Sequence, residues 1–172
     1  MFQYFKKLNP LLNRQTNLRA QFIKEFYERD YHLWLNSEKQ LKRSVTMILE
    51  ALPQKCLNYF NKNPLVVVKN RGDMACAFSS KTKVNVLVIF PDLQKLMNSP
   101  LWLRAVAVLA HEIGHLYFNH SERKISIMDA QYEADLFAAE MGFSAELIEV
   151  LKDYPYSEEV QLRLKKLAKF SQ

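Results

Sequence analysis

The most constraining feature of the chain is the pentapeptide His-Glu-Ile-Gly-His at residues 111–115. On a helix, residues four apart lie on the same face, one turn from each other, so His111 and His115 can bind one metal ion. Glu112 lies about 100° around the helix, beside that metal but not aimed at it. The chain has four His residues. Two of them at this spacing, with Glu between, indicate a metal site rather than a core helix that happens to carry two His side chains.

The segment that carries this pentapeptide is predicted to be a buried helix. Residues 101–110 are apolar on nearly every side apart from Arg104, which is typical of a helix inside a domain. His and Glu side chains in such a helix cost free energy unless they have partners, and a metal with a bound water would supply them. Gly114 costs the helix about 1 kcal/mol relative to Ala, and it leaves room for another backbone to approach.

The hydrophobic periodicity predicts an α+β fold. Residues 1–63 have helical spacing, with Thr16 as one N-cap and Ser37 with Gln40 as a capping box. His32, alone among aromatic residues, is expected to be structural. After residue 63 the spacing of apolar residues changes from helical to that of β-strands. A small mixed or antiparallel sheet is therefore expected, packed on the motif helix and followed by C-terminal helices. The predicted strands are 65–68, 75–79 and 83–90. The motif helix is predicted to begin with Ser99 as N-cap and Pro100 as its first residue, and to end at about His120. The other predicted helices of this half are 92–97, 129–141, 144–152 and 157–170.

Length and composition favour one compact unit. A chain of 172 residues with 49% hydrophobic residues can bury a core of domain size. Residues 1–63 are expected to form an N-terminal helical region, and residues 64–172 to form the region built around the motif. The net charge of +6 is spread over the whole chain, so a nucleic-acid partner is not expected.

The sequence also predicts the cellular location of the protein. No window of about 18 apolar residues is present, so no transmembrane segment is expected. Residues 1–7 lack the uninterrupted apolar region of a signal peptide. Cys56 and Cys76 give no disulfide framework and fit a reducing compartment. A soluble cytoplasmic protein is therefore expected.

Two blocks of the sequence resemble a known family. Residues 107–115 with His120, and residues 133–142, look like the gluzincin metallopeptidases of the HtpX and CAAX-prenyl-protease type. Weaker similarity elsewhere extends the resemblance to about residues 64–168. The soluble bacterial minigluzincins and the ImmA/IrrE-type peptidases share much of this pattern.

The resemblance implies a zincin-like metallopeptidase region with zinc as cofactor. His111 and His115 would bind the zinc, and Glu112 would be the general base that deprotonates a metal-activated water, as the motif itself indicates. An edge strand of the small sheet would hold a protein or peptide substrate beside the metal through backbone hydrogen bonds.

The third metal ligand is the point at which the sequence departs from this family. Catalytic zinc normally has three protein ligands and one open position. The family has Glu four residues before the Asp of its Ala-Asp pair, and Gln131 takes that place here, although a neutral amide is a poorer ligand than a carboxylate. On a regular helix Gln131 shares a face with Asp135, and Glu133 lies nearly opposite. A late or distorted helix start would bring Glu133 inward, so both residues remain candidates.

Further residues near the motif have expected roles. The resemblance implies that Asp135 accepts a hydrogen bond from a ligating His. Tyr154 lies where the family has its closing His, and by analogy Tyr154 or Tyr156 is a candidate donor to the tetrahedral oxyanion. His120 lies five residues beyond His115, off the ligand face, and is expected only to pack.

The leading hypothesis is therefore a soluble zinc-dependent endopeptidase. Because of Gln131, the first alternative is a catalytically inactive, gluzincin-like binding or regulatory protein. The second alternative is an ImmA/IrrE-type regulatory peptidase that acts on a repressor. The sequence identifies neither the substrate nor the role of the N-terminal helical region.

Overall fold

The computed structural model describes residues 5–70, 75–79 and 83–170, and it confirms the predicted α+β fold. None of the described helices is long and apolar enough to cross a membrane. In chain order the elements are α1 (Phe5–Glu28), a 3-10 helix (Asp30–Ser37), α2 (Lys39–Ala51), α3 (Gln54–Lys62), β1 (Leu65–Lys69), β2 (Ala75–Ser79), β3 (Asn85–Ile89), α4 (Pro91–Met97), α5 (Trp102–Tyr117), α6 (Ile127–Glu140), α7 (Ser144–Lys152) and α8 (Glu158–Phe170).

The three strands form a mixed sheet. Strand β3 is central, parallel to β1 and antiparallel to β2, so β2 lies at an edge. Leu87 is paired with Val67 on one side and with Ala77 on the other. Successive side chains of a strand point to opposite faces. Since Leu87, Val88 and Ile89 are all buried, β3 is covered on both faces, as its apolar run predicted.

Helix α5 lies at the centre of the molecule. Residues 105–110 are buried without interruption, and the helix contacts strands β2 and β3 as well as α2, α4, α6 and α7. Its contact with α6 is close at Gly114, where an added Cβ atom would lie 3.0 Å from the Cα of Ala134. The predicted approach of another backbone at Gly114 is confirmed.

Three residues predicted to be N-caps, Thr16, Ser37 and Ser99, do not cap the predicted helices. Thr16 lies inside α1. Ser37 does not cap α2, because its hydroxyl donates to the carbonyl oxygen of Trp34. Helix α5 begins at Trp102, two residues later than predicted, and the hydroxyl of Ser99 is used within the preceding turn. For both Ser37 and Ser99, the side-chain hydroxyl makes a local hydrogen bond to the backbone instead of capping the predicted helix.

Helix α6 begins earlier than predicted. Its N-cap is Ser126, whose Oγ accepts a hydrogen bond from the amide of Asp129 at 3.0 Å. This cap satisfies an amide group that has no partner within the helix. From there α6 continues to Glu140. The helix is therefore established before it reaches the candidate ligands.

The N-terminal helices share one hydrophobic core with the rest of the molecule. Phe26 and Leu49 belong to the same buried cluster as Leu109 of α5. The buried ring of His32 joins the two parts, since its Nδ1 lies 2.8 Å from the carbonyl oxygen of Phe26 and its Nε2 accepts from the amide of Val67 at 3.0 Å.

Candidate metal centre

Two His side chains of α5 converge beside the edge strand β2. The Nε2 atoms of His111 and His115 are 3.1 Å apart, and the two rings are inclined by 79°. Burial, together with the neighbouring His111 and His120, lowers the pKa of His115 to about 3. The ring is therefore neutral at physiological pH. Two imidazoles whose Nε2 atoms lie this close together can both bind one metal ion.

The other ring nitrogen of His111 faces a buried ion pair. Nδ1 of His111 lies 2.8 Å from Oδ1 of Asp135, although it makes no well-aligned hydrogen bond with any described residue. Asp135 accepts from Nε and Nη2 of Arg163, each at 2.7 Å. Burial acts to raise the pKa of Asp135, but the close approach of His111 and the hydrogen bonds from Arg163 hold that pKa below its usual value. Asp135 is thus an anion placed to orient His111.

The other ring nitrogen of His115 faces His120. The Nδ1 atoms of these two rings are 2.7 Å apart, and Nε2 of His120 lies 2.9 Å from Oε2 of Glu133. Arg123 donates to both carboxylate oxygens of Glu133, at 2.6 and 3.2 Å. Hydrogen bonds from Arg123 and His120 lower the pKa of Glu133 to about 2. We refer to His120, Glu133 and Arg123 as the His120 network.

The position of His120 follows from the way α5 ends. The helix stops at Tyr117, and Asn119 adopts the left-handed conformation with φ 54°. The amide of His120 donates to the carbonyl of His115, and the amide of Asn119 donates to that of Leu116, both at 3.1 Å. These two bonds form a Schellman cap. The chain therefore turns back over the last helical turn and brings the His120 ring onto His115.

Gln131 reaches the same cleft from α6. It lines the cleft with Glu112 and His115, and its Oε1 is buried without a hydrogen-bond partner among the described residues. Because α6 is continuous over Ile127–Glu140, it lacks the late start that would turn Glu133 inward. Of the two candidate third ligands, Gln131 lies at the cleft, and Glu133 belongs to the His120 network.

The cleft, of about 340 Å³, is bounded by α5 and by strand β2. Glu112 lines it, and burial raises the pKa of Glu112. A carboxylate with a raised pKa is a better proton acceptor at neutral pH than an ordinary one. Cys76 of β2 also lines the cleft. Burial and the charge of Glu112 raise the pKa of this thiol, which keeps it protonated.

The residues present fit a divalent metal. In the described part of the chain, no group of three or more His, Cys, Asp and Glu side chains is arranged to hold one. The buried and unpartnered Oε1 of Gln131 is an oxygen donor of another kind, and it lines the same cleft as His115. Two imidazole nitrogens and this oxygen make three donors. Since the amide is neutral, it attracts a cation less strongly than a carboxylate would.

The two candidate tyrosines lie outside this cleft. Tyr154 is 55% exposed and lines a separate hollow with Asp92 and Arg104. Tyr156 is fully exposed. Neither side chain is among those that line the cleft with Glu112. A hydrogen bond from Tyr154 to the oxyanion stays a prediction, and this placement does not support it.

Sequence reasoning missed three residues of the site. It predicted only packing for His120 and assigned no role to Arg123 or to Arg163, which holds Asp135. One local signal was available, because Asn is a frequent left-handed residue just beyond a helix, and Asn119 directly precedes His120. The pairing of Arg123 with Glu133 had no such signal, since it depends on how α5 and α6 are placed.

The family model of peptidase family M48 matches residues 38–162, which is more than half of the chain. The matched range contains the motif helix and helix α6, and it extends into the N-terminal helical region. No curated protein and no solved structure matches the chain.

Proposed function

The chain belongs to peptidase family M48, and on that premise we propose that it is a zinc-dependent endopeptidase. Family membership supports a metallopeptidase. The finer assignment is carried by one observation, the convergence of the His111 and His115 Nε2 atoms at 3.1 Å. The buried, unpartnered Oε1 of Gln131 and the carboxylate of Glu112 line the adjoining cleft. His111, His115 and Gln131 would hold the metal.

Each residue of the site has a defined part in peptide hydrolysis. When bound, zinc would polarise the scissile carbonyl and lower the pKa of a water molecule to about 7. Glu112 would accept a proton from the attacking water and pass it to the leaving amine, a role that suits its raised pKa. Asp135, held by Arg163, fixes the ring of His111.

The edge strand β2 offers a place for the substrate backbone. One side of β2 is paired with β3, and within the described residues no strand is paired with the other side. Residues 75–78 line the cleft with Glu112. An extended segment of a protein or peptide would add to this edge through main-chain hydrogen bonds. Phe78, which is 47% exposed, would contact an apolar side chain of that segment.

Narrower assignments remain proposals within the family. The resemblance to the HtpX and CAAX-prenyl-protease type supports a general endopeptidase, whereas neither the described residues nor the family match favours an ImmA/IrrE-type peptidase that acts on a repressor. The neutral Gln131 favours the other alternative, a binding or regulatory protein without activity. The metal content of the purified protein separates that alternative from an active enzyme.

The first test is the Glu112→Gln variant. Peptidase activity on an unfolded protein such as casein is expected to fall by at least about 10²–10⁴-fold, because the proton acceptor is removed. Zinc per chain, measured by mass spectrometry, is expected to stay unchanged, since Glu112 is not a ligand. Glu140→Gln, which alters an exposed carboxylate of α6, is the control for loss of negative charge. Undiminished hydrolysis by the Glu112→Gln protein would contradict the mechanism.

The second test compares the native protein with Gln131→Glu. Both are purified without chelators or a His-tag, and zinc per chain is measured for each. Close to one zinc per chain in the native protein is the expected result, with tighter binding in the variant because a carboxylate adds charge. Zinc found only in Gln131→Glu would overturn the proposal in favour of the inactive binding protein.

A further inference from the structure

The protonation of the His120 network follows from its donors and acceptors. Arg123 has only N–H donors, and its two nitrogens lie 2.6 and 3.2 Å from the two oxygens of Glu133. Glu133 is therefore an ionised acceptor in a bidentate ion pair. Nε2 of His120 lies 2.9 Å from the same carboxylate. Since a carboxylate only accepts, this nitrogen of His120 carries the proton and donates it.

The proton on His120 determines the tautomer of His115. An imidazole that carries its one proton at Nε2 accepts at Nδ1. Nδ1 of His120 lies 2.7 Å from Nδ1 of His115, so in this arrangement His115 donates from Nδ1. A neutral ring protonated at Nδ1 has its lone pair at Nε2. That is the atom of His115 that faces Nε2 of His111.

We propose that the His120 network is a positioning device that holds His115 in the tautomer and orientation required to bind metal through Nε2. This inference rests on the proposed zinc function and adds residues to it. It assigns Glu133 as the acceptor that orients His120 and not as a metal ligand. The site then has two carboxylate–guanidinium supports, Asp135 with Arg163 behind His111, and Glu133 with Arg123 behind His120.

The burial of the network agrees with this role. The side chain of His120 is only 6% exposed, whereas those of Glu133 and Arg123 are 35% and 43% exposed. The imidazole next to the metal position is thus shielded from water, which would otherwise compete for its hydrogen bonds. The ion pair between Glu133 and Arg123 lies at the surface, where water solvates both charges and no large desolvation penalty arises.

The decisive variant is His120→Phe. The His120 ring stacks on Phe118 with ring centroids 5.7 Å apart, so a phenyl ring preserves this packing and removes both nitrogens. Zinc affinity, measured by competition with a chelator, is expected to fall about 10–100-fold, the usual effect of removing the partner of a ligating His. With casein as substrate, kcat is expected to fall with KM little changed. His120→Gln retains an acceptor oxygen and is expected to recover part of both losses.

Two matched carboxylate variants separate the roles of α6. Glu133→Gln retains an oxygen that can accept from His120 and is expected to weaken zinc binding less than His120→Phe does. Glu140→Gln, two turns further along the same helix, is expected to change nothing. If Glu133 were itself a ligand, Glu133→Gln would cost more zinc affinity than His120→Phe. That order of effects would overturn the proposal.

The tautomer of His115 can be measured in the metal-free protein, so the positioning role can be tested separately from the proposed zinc function. Nitrogen-15 NMR of the metal-free native protein is expected to show His115 protonated at Nδ1 and not at Nε2. In folded His120→Phe protein, a mixture of tautomers is expected. If the native protein binds no zinc, the proposed function fails while this spectrum still decides the positioning role. An unchanged His115 tautomer in His120→Phe, or zinc affinity within twofold of native, would overturn the inference.

Discussion

At the scale of single residues, His32 shows how a buried imidazole can be purely structural. Its Nε2 accepts from the amide of Val67, so its Nδ1 carries the proton and donates to the carbonyl of Phe26. Burial lowers the pKa of His32, because the charged ring would lose water and could no longer accept from Val67. The sequence predicted the structural role but not the partner, which is 35 residues away.

His32 is predicted to make stability depend on pH. Because its folded-state pKa lies below the ordinary value of 6.5, the unfolded chain binds more protons, and stability falls as pH drops below that value. His32→Phe is expected to lower the free energy of unfolding by about 1–3 kcal/mol at pH 7, since the Val67 amide loses its acceptor. The difference from native, measured by urea unfolding, is expected to shrink between pH 7 and pH 5. A difference that stays constant with pH would contradict the prediction.

At the scale of elements, the site depends on where α5 ends and on how closely α6 approaches it. Extending α5 to His120, as the sequence predicted, would place His120 about 140° around the helix from His115. Because the helix ends at Tyr117 and Asn119 turns the chain back, the two rings meet instead. Phe118 extends the apolar stretch one residue past Tyr117, so periodicity does not fix the exact end of the helix.

Gly114→Ala is predicted to destabilise the protein although Ala is the better helix former. The added methyl would lie 3.0 Å from Cα of Ala134 and 3.2 Å from Cβ of Phe137, and a backbone atom cannot move without shifting α6. We expect a loss of about 1–3 kcal/mol in thermal or urea unfolding. Weaker zinc binding is also expected, because α6 carries Gln131 and Asp135.

Gly142→Ala is the control for this prediction. Gly142 has φ +91°, and a Cβ there would meet nothing within 4 Å. Its loss of stability would come from backbone strain at the end of α6, away from the metal centre, so zinc affinity is expected to stay native. If Gly114→Ala binds zinc as tightly as Gly142→Ala does, the close approach of α5 and α6 does not position the ligands.

At the scale of the whole molecule, the described helices of the N-terminal region share one core with the elements that carry the site. Helix α2 contacts α5, and Arg43 of α2 lies over the ring of Trp102 at 3.7 Å. The family match likewise begins at residue 38, within this region. A sequence boundary at residue 63 marks the change from helical to strand periodicity, whereas the core continues across it.

Residues 64–172 are therefore predicted not to fold alone. Without residues 1–63 the α2-facing side of α5 would be exposed to water, and the core would lose side chains such as Phe26, Leu49 and Phe60. The isolated fragment is expected to lack a cooperative thermal transition by circular dichroism, in contrast to the full chain. Cooperative melting of the fragment, with native zinc binding, would show that residues 64–172 are an independent domain.

The sequence by itself determined the order of strands and helices from residue 65 onward and the pair of His residues proposed as ligands, because these depend on interactions within about four residues. Strand β2 and helix α7 have their predicted bounds, 75–79 and 144–152. Only the tertiary structure decided the partners of those ligands. Glu133 is 13 residues from His120, and Arg163 is 28 residues from Asp135. Such contacts depend on the packing of α5, α6 and α8, which no local pattern encodes. The same packing turns the amide of Gln131 toward the cleft and leaves the carboxylate of Glu133 outside it.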